Sequence, residues 1–126
     1  MYLVRNPENQ GNALEKKNYN AKYIEESMNY IVENLNGELS LDVLSKRCNM
    51  SPSHYSMLFK KTTGFSPGQY IIEKKLDLAL ELLDNTDYKI SEIAYKCGFN
   101  DITNVNTVFK KYIKVTPREY KNTHGN

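Results

Sequence analysis

Residues 51–70, SPSHYSMLFKKTTGFSPGQY, decide the fold, because residues 101–120, DITNVNTVFKKYIKVTPREY, repeat their pattern. The two stretches share a Phe-Lys-Lys segment, a later proline and a tyrosine, all displaced by 50 positions (109 − 59). Upstream the displacement becomes 49 (90 − 41), and three residues match three others: Leu41, Leu44 and Cys48 with Ile90, Ile93 and Cys97. Such internal periodicity indicates one structural unit that occurs twice. We call residues 40–80 the first repeat and residues 89–121 the second repeat.

Each repeat has the pattern of a helix, a tight turn and a second helix. Ser40 is a suitable N-cap, and Asn49 tolerates the left-handed backbone of a turn. Ser51-Pro52 starts the next helix, and Gly64 ends it. In the second repeat Gly98 occupies the turn, where the lack of a Cβ is an advantage. Helical spacing predicts that the inner faces carry Leu41, Leu44, Cys48, Tyr55, Leu58, Phe59 and Thr62, and then Ile90, Ile93, Cys97, Val105, Val108, Phe109 and Tyr112.

Two more helices are predicted, one between the repeats and one before them. The first extends from Pro67 to Leu83 and would act as a rigid linker helix, whereas the second extends from Asn20 to Leu35. No strand-like alternation occurs, so we expect an all-α fold with about seven helices. The predicted division is a linker or disordered tail at 1–17, a first helix-turn-helix subdomain with the linker helix at 18–83, and a second helix-turn-helix subdomain at 84–126.

Composition excludes several classes of protein. The chain of 126 residues has the size of one domain, or of two very small ones that share a core. It contains no run of about 20 apolar residues that could cross a membrane. Two cysteines make no disulfide framework and favour a reducing, cytoplasmic compartment. The net charge of residues 1–42 is −3 (4 − 7), and that of residues 43–126 is +5 (13 − 8). The basic excess therefore lies in the repeats and permits a polyanionic partner.

A doubled helix-turn-helix is typical of proteins that place a helix in the major groove of DNA. Small polar and amide side chains on the outer face of such a helix can contact base edges, and lysines at its end can contact phosphates. The predicted DNA-binding residues are Ser51, Ser53, His54, Ser56, Met57, Lys60 and Lys61 in the first repeat, and Ile102, Thr103, Asn104, Asn106, Thr107, Lys110 and Lys111 in the second. Two such helices one DNA turn apart, about 34 Å, could contact successive segments of the major groove without a dimer.

Residues 39–120 resemble the DNA-binding domain of the AraC/XylS family of bacterial transcription regulators. The residues that carry the resemblance are Ser51-Pro52, Phe59-Lys60-Lys61-Thr62-Thr63-Gly64, Ser66-Pro67, Tyr70, Ala79, Leu82-Leu83, Ile90, Ile93-Ala94, Gly98-Phe99, Asp101, Phe109-Lys110-Lys111, Val115-Thr116-Pro117 and Glu119-Tyr120. The resemblance implies a homeodomain-like arrangement, with two helix-turn-helix units joined by a long helix and both recognition helices in adjacent major grooves.

The same resemblance implies partners and a place in a larger protein. Double-stranded promoter or operator DNA is the expected ligand, and RNA polymerase is the expected protein partner. Members of the family usually carry this domain at the C-terminus, behind an effector-binding or receiver domain. We therefore expect a C-terminal domain that is monomeric alone, in a regulator that can dimerise through the missing domain.

The sequence departs from the family pattern at several positions. Met57 and Thr107 stand where arginine is frequent, Lys75 replaces a usual arginine, and Lys114 stands at a frequent glycine position, where a left-handed backbone would be strained. Asn104-Val105 stands where an aromatic pair is frequent. We therefore expect the second repeat to recognise DNA more weakly than the first, or differently.

Other functions are disfavoured by the residues that the sequence offers. Cys48 and Cys97 are predicted to be packed thiols, because these residues and the two histidines have no metal-site spacing. His54 is predicted to be solvated or in contact with phosphate. No cofactor, metal or catalytic residue is expected, since the chain has no glycine-rich phosphate loop and no nucleophile–base motif. A helical protein-interaction module is the alternative, and it would present an exposed apolar patch instead of a basic face.

Overall fold

The computed structural model describes the backbone of residues 12–124 and the side chains of residues 20–123. This part of the chain contains seven helices and no strand, which confirms the predicted all-α fold. The helices are α1 (Asn12–Glu33), α2 (Leu41–Arg47), α3 (Pro52–Thr63), α4 (Pro67–Asn85), α5 (Ile90–Cys97), α6 (Ile102–Tyr112) and α7 (Pro117–His124). Helices α2 and α3 form the first helix-turn-helix, α5 and α6 form the second, and α4 is the linker helix.

Short polar side chains begin the helices of the first repeat as the sequence predicts. The Oγ of Ser40 accepts a hydrogen bond from the Val43 N–H at 3.2 Å, and the Oγ of Ser51 accepts one from the His54 N–H at 3.1 Å. Such caps satisfy N–H groups that have no partner inside the helix, and each contributes about 1 kcal/mol. The turn residue Asn49 has a φ of 56°, so its predicted left-handed conformation is confirmed.

Glycine is required at the turn of the second repeat for two reasons. Gly98 has a φ of 87°, and a Cβ built on it would overlap the backbone carbonyl of Leu35. Gly64, which ends α3, has the same φ, but a Cβ there would meet no atom within 4 Å. The equivalent residue after α6 is Lys114, with a φ of 79°, which is the left-handed conformation expected from its position. A side chain in this region costs roughly 1–2 kcal/mol.

The first compact unit combines the chain up to Tyr30 with Ser40–Pro67. Its interior holds apolar side chains of three helices, including Ile24, Leu44 and Phe59. The hydroxyl of the buried Tyr55 lies 2.6 Å from the hydroxyl of Ser27, so each polar group has a partner inside the core. Burial raises the pKa of the Tyr55 phenol and outweighs the opposite effect of this hydrogen bond.

The second compact unit combines Ile31–Leu39 with Gly68–Asn126. Its core is formed by Leu76, Ala79, Leu83, Ile93, Ala94, Cys97, Phe99, Val105 and Phe109. The half-buried Lys75 Nζ donates a hydrogen bond to the Gly98 carbonyl at 2.7 Å and so ties α4 to the turn between α5 and α6. Burial lowers the pKa of Lys75 and raises that of Cys97 to about 11. The subdomain boundaries drawn from the sequence stay predictions.

Three residues that were expected in the core are exposed. Leu41 is 40% exposed, Thr62 is exposed, and Tyr112 is 41% exposed. In α3 and α6 the inner stripe continues instead to the next residue, Thr63 or Ile113, which is partly buried. Thr63 and Ile113 each lie four residues after a fully buried phenylalanine, Phe59 or Phe109, and so one turn further along the same side. Leu41, the first residue of α2, lies at the edge of the core.

Helix α1 begins at Asn12, before the predicted start at Asn20. The predicted tail therefore contains helical backbone from residue 12, and its residues 1–11 lie outside the described part of the chain. Ala13, Leu14, Glu15 and the two lysines after it have high helix propensity, which favours helical backbone in this segment. A search for periodic apolar residues does not find a helix of this kind.

Candidate nucleic-acid interface

Helix α3, the second helix of the first helix-turn-helix, presents the predicted DNA-binding residues on its outer side. Tyr55 and Phe59 fix the inner side, since both are fully buried. Every predicted DNA-binding residue of α3 and its cap is exposed except Ser56, which is half-buried: Ser51, Ser53, His54, Ser56, Met57, Lys60 and Lys61. The two lysines lie in the last turn of the helix. The face therefore offers hydroxyls and a thioether along the helix and two cations at its C-terminal end.

A shallow groove of about 650 Å³ runs along this face. It is lined by Leu41, Pro52, Ser53, Ser56, Met57, Lys60 and Lys61. Leu41 was assigned to the core by its spacing, but the structure places it beside the outer face of α3. Met57 is 61% exposed, so the groove has an apolar centre and a basic end. The equivalent residue of the second repeat, Ile90, is only half-buried, so in both repeats the first residue of this helix lies at the edge of the core.

Helix α6, the second helix of the second helix-turn-helix, has the same orientation within its repeat. Val105 and Phe109 are fully buried, at the positions equivalent to Tyr55 and Phe59. The predicted residues again lie outward, although two asparagines are only partly exposed: Ile102, Thr103, Asn104, Asn106, Thr107, Lys110 and Lys111. Asp101 caps the helix by accepting a hydrogen bond from the Asn104 N–H at 2.7 Å. The neutral N-cap of the first repeat is thus replaced by a carboxylate.

Several polar groups of α6 already have partners within the protein. The Asn104 Oδ1 accepts a hydrogen bond from the Asn100 N–H at 3.4 Å, and the Thr107 hydroxyl donates to the Thr103 carbonyl at 2.9 Å. In the part of the chain with described side chains, no hydrogen bond engages the Asn106 amide. Asn106 is therefore the amide of α6 with the most freedom to contact a base.

The two lysines at the end of α6 differ from their counterparts in α3. Lys110 Nζ lies 3.9 Å from a carboxylate oxygen of Glu119, the residue equivalent to Gln69 of the first repeat. The Thr116 N–H and the Lys110 ammonium together hold the pKa of Glu119 below its usual value, with the backbone N–H as the larger cause. Lys111 Nζ lies 5.3 Å from the centre of the Tyr112 ring. The carboxylate of Glu119 therefore lies beside Lys110, whereas the equivalent position of the first repeat holds the neutral Gln69.

The chain is similar to proteins of known class over most of its length. A family model described as a helix-turn-helix domain matches residues 44–123. The multiple antibiotic resistance protein MarA of Salmonella typhimurium (strain LT2) is 33% identical over 114 residues, which cover 89% of this chain and 90% of MarA. A solved AraC-type transcriptional regulator from Chromobacterium violaceum superimposes with a TM-score of 0.73 and 26% identity over 83% of this chain and 94% of that one. The chain belongs to the AraC/XylS family.

Membership of the AraC/XylS family accounts for the doubled helix-turn-helix. A solved structure of the DNA-binding domain of AdpA, a global transcriptional factor, in complex with a target DNA superimposes with a TM-score of 0.76 and 26% identity over 79% of this chain and 90% of that one. As an AraC/XylS domain, the chain binds DNA in a sequence-specific manner and regulates transcription. No helix among the described residues is long and apolar enough to cross a membrane.

Proposed function

We propose that α3 and α6 are the two recognition helices and that each enters a major groove with its exposed face toward the bases. The observation that carries this proposal is the equivalence of the two faces. In both repeats a pair of fully buried residues, Tyr55 and Phe59 or Val105 and Phe109, turns the predicted DNA-binding residues outward. A groove about 12 Å wide accepts one helix and leaves this outer face in contact with base edges. Adjacent major grooves on one side of the duplex are the proposed binding sites.

The proposed contacts divide into positioning and reading. Lys60, Lys61, Lys110 and Lys111 lie in the last turns of their helices and are proposed to contact phosphates. Ser53, Ser56 and Met57 are proposed to contact bases, since hydroxyls accept or donate hydrogen bonds and a thioether can contact the methyl group of thymine. Ser51 and His54, at the start of α3, are proposed to lie close to the backbone of the DNA.

The second repeat is proposed to read fewer bases. Because the Asn104 Oδ1 and the Thr107 hydroxyl proton are engaged within the protein, Asn106 is the amide of α6 whose oxygen and NH2 group are both open to a base. Ile102 and Thr103 begin the helix and can supply apolar contact to a thymine methyl. Discrimination at this half-site would then be weaker than at the half-site of α3.

Selection of bound oligonucleotides from a random pool tests the proposal. The selected site should span about two turns of DNA, with two conserved blocks one turn apart. Ser53→Ala should relax the preference in one block and Asn106→Ala in the other, whereas Lys60→Ala should weaken binding to all sequences. Lys22→Ala is the matched control, because Lys22 is exposed on α1. Equal affinity of the wild-type chain for selected and random duplexes would contradict sequence reading by α3 and α6.

A protein partner and a compartment follow as further proposals from family membership. RNA polymerase is the proposed partner in regulation, and the cytoplasm is the proposed site of action, in line with two free, buried thiols. The isolated chain is proposed to be a monomer without enzymatic activity. Sedimentation equilibrium of the chain alone, and co-sedimentation with purified polymerase on promoter DNA, test the oligomeric state and the partner.

A further inference from the structure

A basic cleft lies on the second compact unit, apart from the lysines of the recognition helix. Its volume is about 420 Å³, and the side chains of Lys89, Arg118 and Lys121 line it. The polar residues Tyr88, Ser91 and Asn122 complete its walls, together with Ile90 and with Ile102 at the start of α6. Among the described residues, those that line the cleft include no carboxylate. The chemistry of the cleft is therefore that of a site for a phosphate group.

The cations of this cleft are available to a ligand. Lys89 and Arg118 are exposed, and within residues 20–123 neither forms an ion pair with a carboxylate. Lys121 donates a hydrogen bond to the Thr86 carbonyl at 2.6 Å, which fixes its ammonium at the wall and leaves two of its three protons for other acceptors. Glu92, in the first turn of α5, accepts a hydrogen bond from the Lys89 N–H at 3.1 Å, so it stabilises the start of the helix.

Comparison of the two repeats shows that these charges belong to the second repeat alone. By the repeat alignment Lys89 corresponds to Ser40, Arg118 to Gly68, and Lys121 to Ile71. Three cations therefore stand where the first repeat has a hydroxyl, no side chain and an apolar side chain. The packing of a helix-turn-helix does not require them, since the first repeat has the same helices without them.

The cleft is continuous with the proposed DNA-binding face. Ile102 belongs both to the lining of the cleft and to the outer face of α6, where it is 44% exposed. In a helix-turn-helix the helix before the recognition helix crosses the sugar-phosphate backbone, and Lys89 is the N-cap residue of that helix, α5. We propose that Lys89 and Arg118, with Lys121 behind them, bind backbone phosphates of the DNA next to the half-site of α6 and anchor the second repeat independently of sequence. This inference rests on the proposed docking of α6 in the major groove.

The salt dependence of binding tests this anchor. Neutralising both residues in Lys89→Gln/Arg118→Gln should flatten the slope of log K against log salt by about 1.8, since each phosphate contact contributes about 0.9. The order of preference among selected and mismatched duplexes should not change. Lys22→Gln/Lys74→Gln removes the same charge from α1 and α4 and should leave the slope unchanged. The charge-conserving exchange Lys89→Arg/Arg118→Lys should keep the wild-type slope and shows that the folded cleft tolerates substitution.

Interference by ethylated phosphates supplies a second readout. Binding of the wild-type protein should be blocked by ethylation of one or two phosphates beside the α6 half-site. Binding of Lys89→Gln/Arg118→Gln should no longer be sensitive to ethylation at these phosphates but should stay sensitive at the other contacted phosphates. A slope and an ethylation pattern equal to those of Lys22→Gln/Lys74→Gln would overturn the proposal.

Titration with inorganic phosphate tests whether the cleft binds a free phosphate ion or the phosphates of DNA. If titration with inorganic phosphate shifted the amide resonances around the cleft while the substitutions left the salt slope of DNA binding unchanged, the cleft would be a site for free anions and the DNA anchor would be wrong. Loss of all sequence preference in the wild-type chain would instead contradict reading by α3 and α6. In that case the difference in salt slope between the wild-type chain and Lys89→Gln/Arg118→Gln would still show whether the cleft contacts phosphates of the DNA.

Discussion

Replacement of Gly98 by alanine should introduce two unfavourable effects that the absence of a Cβ avoids at the turn of the second repeat. The first effect is the left-handed backbone, which costs a side chain roughly 1–2 kcal/mol. The second is the overlap of a Cβ with the Leu35 carbonyl, which is backbone and cannot rotate away. Gly64 is the matched control, because it has the same φ of 87° and open space around its Cβ.

The two alanine variants should therefore differ in stability. A lower entropy of the unfolded chain returns about 0.4–1 kcal/mol in each case, so Gly64→Ala should lose about 1 kcal/mol or less. Gly98→Ala carries the same difference plus about 1–3 kcal/mol for overpacking, which gives a total of about 1–4 kcal/mol. Urea unfolding followed by circular dichroism measures both values. Equal losses for the two variants would show that the Leu35 contact plays no part and would refute the reasoning from the overlap.

Three further substitutions or measurements follow from particular contacts. Lys114→Gly should raise the free energy of unfolding by up to about 1 kcal/mol, because glycine adopts a φ of 79° without the strain that a side chain causes. A lower free energy of unfolding in urea would contradict backbone strain at Lys114. Lys60→Ala should flatten the salt slope of DNA binding by about 0.9, and Lys110→Ala by less, because Lys110 is paired with Glu119; equal slopes would argue against that pairing in solution. Cys97 should react slowly with a thiol reagent in the native chain, since burial raises its pKa to about 11. For the same reason the stabilisation by the Cys97 thiol should be complete below the pKa of the thiol in the unfolded chain, about 8.5, and should fall as the pH rises from there toward 11. Unfolding curves of the wild-type chain and of Cys97→Ala at alkaline pH measure this fall.

The fold could be predicted from local signals that act over a few residues. Ser40 and Ser51 as N-caps, Pro52 in the first turn of α3, and Gly64 and Gly98 at left-handed positions all have conformational reasons that need no partner elsewhere in the chain. The errors come where a position depends on what packs over it. Spacing placed Leu41 in the core, but the first residue of α2 lies at the edge of the core, where nothing covers it completely.

The candidate interface was only partly predictable for a related reason. Outward residues of α3 and α6 follow from the inner stripe, so their exposure could be anticipated from the sequence. Their internal partners could not. The approach of Glu119 to Lys110 depends on how α7 folds back on the end of α6, and the basic cleft depends on α5 and α7 bringing Lys89 and Arg118 together. The signal that was available is the difference between aligned repeat positions, such as Gly68 and Arg118.

The two repeats have the same order of helices but a different distribution of charge, and this difference predicts how strongly each half-site of the DNA is conserved. Asp101 and Glu119 place negative charge beside α6, where the first repeat has Ser51 and Gln69. Carboxylates so placed oppose close approach to phosphates, whereas the cations of the cleft attract the backbone without regard to sequence. Oligonucleotides selected by the wild-type chain should therefore be more strongly conserved at the half-site of α3 than at that of α6. Selection with Asp101→Ser/Glu119→Gln, which restores the residues of the first repeat, should reduce this difference. If both half-sites were equally conserved in the wild-type selection, the argument from charge would be wrong.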